Sequence, residues 1–266
     1  MSRFQNLEFE GQNDNDSNAG GEGSVLPYQE VVKNEAHYLA EAQRAFEVAD
    51  FEQGLRLYAR ALEENPKSTT AWTGQVRMLI ELGEFREAKA WADKALETHP
   101  NHAELLAAKA VALGRLGDLD EALAFSDASF EERGDSPFVW LARADVLLAR
   151  KEHRAEYCFD KAVGLAARDW FIAWLAARVR IFHRQFAQAI KTLRKAIELE
   201  STHFMLWLQR GECELALGYA DAARASFEQV LQLNPLCEPA HEGLRQARSP
   251  GLGRRLAGLW HKLTGS

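Results

Sequence analysis

Residues 204–237 read FMLWLQRGECELALGYADAARASFEQVLQLNPLC, and this stretch decides the fold. Trp207, Gly211, Leu215 and Leu217 recur at helical spacing and set one apolar stripe. Gly218 follows the last of them, where a residue tolerant of the left-handed region ends a helix. Ala223, Phe227, Val230 and Leu231 then set a second stripe, and Pro235 stops it. The stretch is therefore two amphipathic helices joined by a tight turn. Ala and Gly where the two cross let their backbones approach closely.

The pattern repeats outward from this stretch. The large first-helix position falls at Tyr38, Trp72, Leu106, Trp140, Trp174 and Trp207, spaced 34, 34, 34, 34 and 33 residues apart. The small second-helix position falls at Gly54, Ala88, Ala122, Ala155, Ala189 and Ala223, spaced 34, 34, 33, 34 and 34. Pro66, Pro100 and Pro235 close three units, and Gly83, Gly117 and Gly218 mark three internal turns. An aromatic, then Gly, Gly, Ala, Phe and a closing Pro over 34 residues resembles the tetratricopeptide repeat (TPR) family, with six units from about Glu35 to Cys237. The resemblance implies an all-α, right-handed superhelical solenoid of antiparallel helix pairs. Repeats four and five lack the turn glycine (Ala149 to Arg154, His183 to Gln185) and the closing proline, and are expected to be joined more tightly. Arg178 stands where the family prefers a small residue.

Three segments follow. Residues 1–26 are rich in Asn, Asp, Gly, Ser and Glu, a composition that buries too little surface to offset its ordering entropy, so a disordered acidic arm is expected. Residues 27–248 hold a lead-in, the six repeats and a capping helix from Glu238 to Arg248. Residues 249–266 form a basic tail. In it Leu252, Leu256, Leu259, Trp260 and Leu263 share one helical face, apart from Arg254, Arg255, His261 and Lys262.

In this family the first helices line the concave groove. Helical spacing projects Ala36, Leu39, Gln43, Phe46; Thr70, Thr73, Arg77, Ile80; and Glu104, Ala107, Val111, Gly114 onto that surface in repeats one to three, a mixed set. Repeats four to six give Phe138, Leu141, Asp145, Leu148; Ile172, Leu175, Val179, Phe182; and Met205, Leu208, Glu212, Leu215. Ten of these twelve are apolar, as a surface that binds an apolar helix or extended peptide would be, with Asp145 and Glu212 as polar handles for a basic or amide-bearing ligand. The alternative is a superhelix wound so tightly that these side chains pack on each other. The Lys, Asn and Arg clamp with which some relatives grip acidic chaperone tails is absent, because none of the eight Asn residues projects onto this surface.

The tail offers one candidate occupant of the groove. Its five large apolar side chains provide at most about 7 to 15 kcal/mol when buried, whereas ordering about 12 residues costs roughly 12 to 24, so it needs a surface to fold on. Its own array, a protein partner and an anionic membrane surface all meet that need.

A net charge of −7 with no long basic stripe argues against a nucleic-acid binder. Cys158, Cys213 and Cys237 lack CxxC spacing and read as buried or idle thiols of a reducing compartment. No HExxH, phosphate-binding glycine loop or nucleophile elbow is present, and the eight histidines are scattered. The expectation is a non-catalytic interaction scaffold without cofactor or metal, cytoplasmic, with self-association through terminal helices or groove left open. A peripheral membrane adaptor held by the tail and a secretion or assembly chaperone are the alternatives.

Overall fold

The computed structural model describes residues 33–132 and 135–248, and among these it contains helices and no strand. The helices pair as α1 (Glu35–Glu47) with α2 (Phe51–Glu64), α3 (Thr69–Glu81) with α4 (Phe85–Thr98), and α5 (Ala103–Leu116) with α6 (Leu119–Glu131). The second half pairs α7 (Pro137–Ala149) with α8 (Ala155–Leu165), α9 (Trp170–Phe182) with α10 (Phe186–Leu199), and α11 (Phe204–Ala216) with α12 (Ala220–Leu233). A single α13 (Glu238–Arg248) follows. The acidic arm and the tail, including Leu252, Leu256, Leu259, Trp260 and Leu263, lie outside the described residues.

Five of the helices begin at an Asn, Asp or Ser side-chain cap. The amides of His37, Gln53, Ala71, Val139 and Phe171 donate to the side chains of Asn34, Asp50, Ser68, Ser136 and Asp169, satisfying groups that the helix itself leaves orphaned. The turns within repeats two, three and six use Gly83, Gly117 and Gly218 at φ of +80°, +97° and +81°. Repeats one, four and five place Ala49, Lys151 and Arg184 in the same left-handed region.

The expected tighter joints of repeats four and five are therefore corrected. Three residues, His183 to Gln185, separate α9 from α10, as many as separate α3 from α4, and the α7–α8 connection is longer, at five residues, Arg150 to Arg154. The left-handed side-chain residues cost about 1–2 kcal/mol each. Hydrogen bonds that close the turn offset this: the amides of Arg184 and Gln185 donate to the carbonyls of Ile181 and Arg180 at 2.9 and 2.8 Å.

The column of small second-helix residues is buried from Gly54 to Ala223, so successive helix pairs stack without side chains holding them apart. In repeat six a β-carbon at Gly211 would come within 2.7 Å of the Phe227 ring, and one at Gly243 within 2.4 Å. The fully buried Phe227 thus sits in a notch cut by two glycines, one on α11 and one on α13. Through that notch α13 closes the end of the array, burying Ala240, Gly243, Leu244 and Ala247 and leaving Glu238, Glu242, Arg245 and Arg248 outside.

An ordinary solenoid repeat touches only its neighbours. Here the first repeats also reach the fifth and sixth across the concave side. Phe46 of α1 packs edge-on against Phe171 and Trp174 of α9, with ring centroids 5.1 and 6.0 Å apart. Phe85 meets Phe182 at 5.9 Å. Ala49 packs on the cluster that holds Met205 and Leu208. The superhelix is wound tightly enough for its two halves to share a core.

Candidate functional site: the concave surface

The closure leaves this side of the array with a closely packed centre and a more open rim. Leu141 and Asp145 of α7, Leu175 and Val179 of α9, and Met205 and Leu208 of α11 are buried. Phe138, Leu148, Ile172, Glu212 and Leu215 are partly buried, and Phe182 stands 39% exposed. Of the twelve projected residues, Phe138, Leu141, Asp145, Leu175 and Val179 line one cavity, and Met205, Leu208 and Leu215 share a second cluster. Six of the twelve are buried, and Asp145 meets Arg115 of repeat three.

Two carboxylates at the centre are paired with cations of other repeats. Arg178 of α9 donates through Nε to Oε2 of Glu81 on α3 at 2.9 Å, and through Nη2 to the same oxygen, linking residues 97 positions apart in the chain. Its guanidinium passes over Phe51 and Trp174 on the way, at 4.6 and 5.2 Å from their centroids. The arginine that breaks the small-residue pattern therefore serves long-range pairing. Asp145 accepts from Arg115 Nη2 and Nε at 2.8 and 3.1 Å, and its other oxygen lies 2.8 Å from His183 Nε2. Both oxygens are thus committed inside the protein, and Asp145 is not a free handle for a ligand.

Electrostatics follow from this pairing. Burial pushes the carboxyls of Glu81 and Asp145 up, but the arginines around Glu81, and Arg115 together with His183 beside Asp145, outweigh it and hold both below the usual carboxylate range. Glu212 differs. Burial pushes it up to about 7, Arg178 opposes the rise only in part, and among the described residues none hydrogen-bonds it.

A carboxyl raised from its ordinary 4.5 to about 7 stabilises the fold below pH 4.5 relative to neutral pH, and that contribution is lost as pH climbs through 7. Glu212→Gln is accordingly expected to raise stability by up to about 3 kcal/mol at pH 8 and to leave it unchanged near pH 4. Urea unfolding at the two pH values checks this.

Sequence reasoning placed Phe46, Arg77 and Ile80 on the concave side without linking them to repeats four to six, and it passed over Glu81, Arg115 and His183. A signal was available. Glu81 is the one acidic residue of α3, and Arg178 and Arg180 are the only charges of α9. Charges on otherwise apolar helices require partners. Arg180 finds its own on the outer side, a bidentate pair with Glu156 at 2.9 and 2.8 Å.

Among the described residues no group of three His, Cys, Asp or Glu side chains is placed to hold a metal ion, and no helix is long and apolar enough to cross a membrane. Cys158, Cys213 and Cys237 are buried, and burial pushes the Cys158 and Cys213 thiols up.

This geometry agrees with what the chain is similar to. Tetratricopeptide repeat models match residues 23–160 and 175–236, the first alone covering more than half of the chain. The chain belongs to the tetratricopeptide repeat family. Peptidyl-prolyl cis-trans isomerase FKBP4 of Mus musculus and that of Bos taurus are each 46% identical over 50 residues, which is 19% of this chain and 11% of theirs. A tetratricopeptide repeat protein from Parabacteroides merdae superposes with a TM-score of 0.51 at 20% identity, covering 84% of this chain and 87% of that one. The Cut9–Hcn1 hetero-tetramer of the APC/C gives 0.51 at 14% identity, covering 83% of this chain and 44% of the other. These likenesses establish an all-α TPR solenoid, which is in general a scaffold for protein–protein interaction.

Proposed function

We propose that this scaffold receives an apolar helix or an extended apolar segment along the rim of the concave face in repeats four to six. The observation that carries the reading is the set of apolar side chains the closure leaves uncovered. Phe138, Leu148, Ile172, Phe182 and Leu215 come from three successive first helices and remain partly open, Phe182 most of all. Successive first helices present such residues at a regular interval, and an amphipathic helix or alternating strand presents matching anchors. Glu212, whose carboxyl holds its proton up to about pH 7, adds a donor that a backbone carbonyl of the bound segment would accept.

The tail of the same chain is the regulatory element of this proposal. Leu252, Leu256, Leu259, Trp260 and Leu263 supply the apolar anchors, and the tail's basic residues suit a protein of net charge −7. The tail occupies the rim until a partner displaces it.

Selection of displayed random peptides on the full chain tests both statements. Apolar helical or alternating peptides should be enriched, compete with a synthetic 252–266 peptide, and bind the Phe182→Glu chain at least tenfold more weakly. Because Phe182 also touches Phe85 and Arg115, urea unfolding of the variant is compared with that of the unaltered chain, and Leu148→Glu serves as a second rim variant. Peptides that bind the variant equally well would remove the rim as the binding surface. Peptides that lose affinity in the variant yet ignore the 252–266 peptide would keep the rim and remove the tail from it.

A further inference from the structure

The charges around the central cavity do not balance. This cavity, of about 40 Å³, lies where the two halves of the superhelix meet, and Arg77, Glu81, Arg115, Phe138, Asp145 and Val179 are among its walls. Glu81 is taken by Arg178, and Asp145 is taken by Arg115 and His183. Arg77 is left over. Its guanidinium carbon lies 4.9 Å from the Phe46 centroid and 4.3 Å from that of Phe138, so two aromatic rings of different repeats hold it. Among the described residues it has neither a hydrogen-bond acceptor nor an ion-pair partner. Arg77 is partly buried, and its charged guanidinium, with five N–H donors and no protein acceptor, is free to take an anion that enters the cavity. Burial lowers the Arg77 pKa, with Tyr58, Glu104 and Glu81 opposing, from a value too high for the group to become neutral at physiological pH.

We propose that this cavity is a binding site for a small monocarboxylate of roughly two to four carbons, whose carboxylate accepts from Arg77 and whose alkyl stub packs on the apolar wall. Three observations select this class. The wall beyond Arg77 is apolar, with Val111, Leu141, Leu175 and Val179. Glu81 and Asp145 are ionised neighbours, so a dianion such as phosphate meets two fixed negative charges where a monoanion gains one unpaired positive one. The walls come from α3, α5, α7 and α9 together, and the Glu81–Arg178 pair links the first of these to the last. A small, half-open site walled by four helices suits a free small acid better than the bulkier end of a polypeptide. Because both halves of the superhelix build the site, its ligand also ties them together.

The test uses the full chain, with propionate as probe and chloride and inorganic phosphate at matched ionic strength as controls. Titration calorimetry should show saturable binding of propionate alone. Hydrogen exchange should slow in α3, α7 and α9 when propionate is added. Arg77→Met, which keeps the reach of the side chain along the two rings and removes a partly buried charge without an ion-pair partner, should fold and bind propionate at least tenfold more weakly. Absence of binding overturns the proposal, as does equal binding of phosphate, equal binding by the Arg77→Met chain, or protection confined to other helices. If the variant does not fold, the exchange pattern of the unaltered chain decides alone: protection of those three helices by propionate sustains the site, and its absence removes it.

Discussion

Replacing Phe46 by alanine is expected to lower the unfolding free energy by about 3–5 kcal/mol, the usual cost of deleting a buried aromatic side chain from a core. The size is ordinary; the distribution of the effect is what matters. Phe46 sits at the end of α1, in a terminal repeat, and an open solenoid would confine its loss to fraying of that end. Here the ring is fully buried among Phe51, Phe171, Trp174 and Arg77, so its removal also strips one wall from repeat five. Hydrogen exchange of Phe46→Ala should therefore quicken in α9 as well as in α1, and X-ray scattering should show a larger radius of gyration. Faster exchange in α1 alone, with unchanged scattering, would mean that the two halves do not share a core.

The second large effect belongs to Asp145. Its carboxylate accepts three charge-assisted contacts from Arg115 and His183 in a buried setting. Asp145→Asn keeps the shape and removes the charge, leaving Arg115 buried beside no anion of its own. Breaking a buried pair in this way costs about 3–5 kcal/mol. The sign of the pH dependence follows from the lowered carboxyl. A group held below its ordinary 3.8 in the folded chain contributes stability that is present above that value and is lost as pH falls through the folded value. The gap between the unaltered chain and Asp145→Asn should be full at pH 7 and should narrow below about pH 4. Urea titrations at pH 7 and pH 3 measure it. A gap that stays constant with pH would show that the loss comes from packing.

The repeat architecture was legible because it is local. A 34-residue period, a column of small residues ending at Ala223 and a glycine before each of three second helices are properties of adjacent residues, and they placed all six helix pairs. The turns of repeats four and five were misread. Hydrogen bonding holds Lys151 and Arg184 in a conformation that sequence alone assigns to glycine. The concave face was half legible: helical spacing put Phe138 through Leu215 on one side, and the tight winding was one of two alternatives. Deciding between them requires the superhelical pitch, the sum of small rotations between repeats, and no short stretch of sequence encodes that sum. Arg178 was visible as an anomaly, but its partner lies 97 residues away. Helical spacing alone leaves Asp145 as a free handle, because its partners Arg115 and His183 lie one position beyond the stripe projected from their own helices.

The closure of the superhelix is the claim on which the rest depends, and a double-mutant cycle between Glu81 and Arg178 tests it most directly. Glu81→Gln, Arg178→Met and the double variant are compared with the unaltered chain by urea unfolding. Side chains this far apart in sequence couple only if the first half of the solenoid touches the second. A coupling energy of about 1 kcal/mol or more is predicted. Additivity within about 0.3 kcal/mol would contradict the closed superhelix.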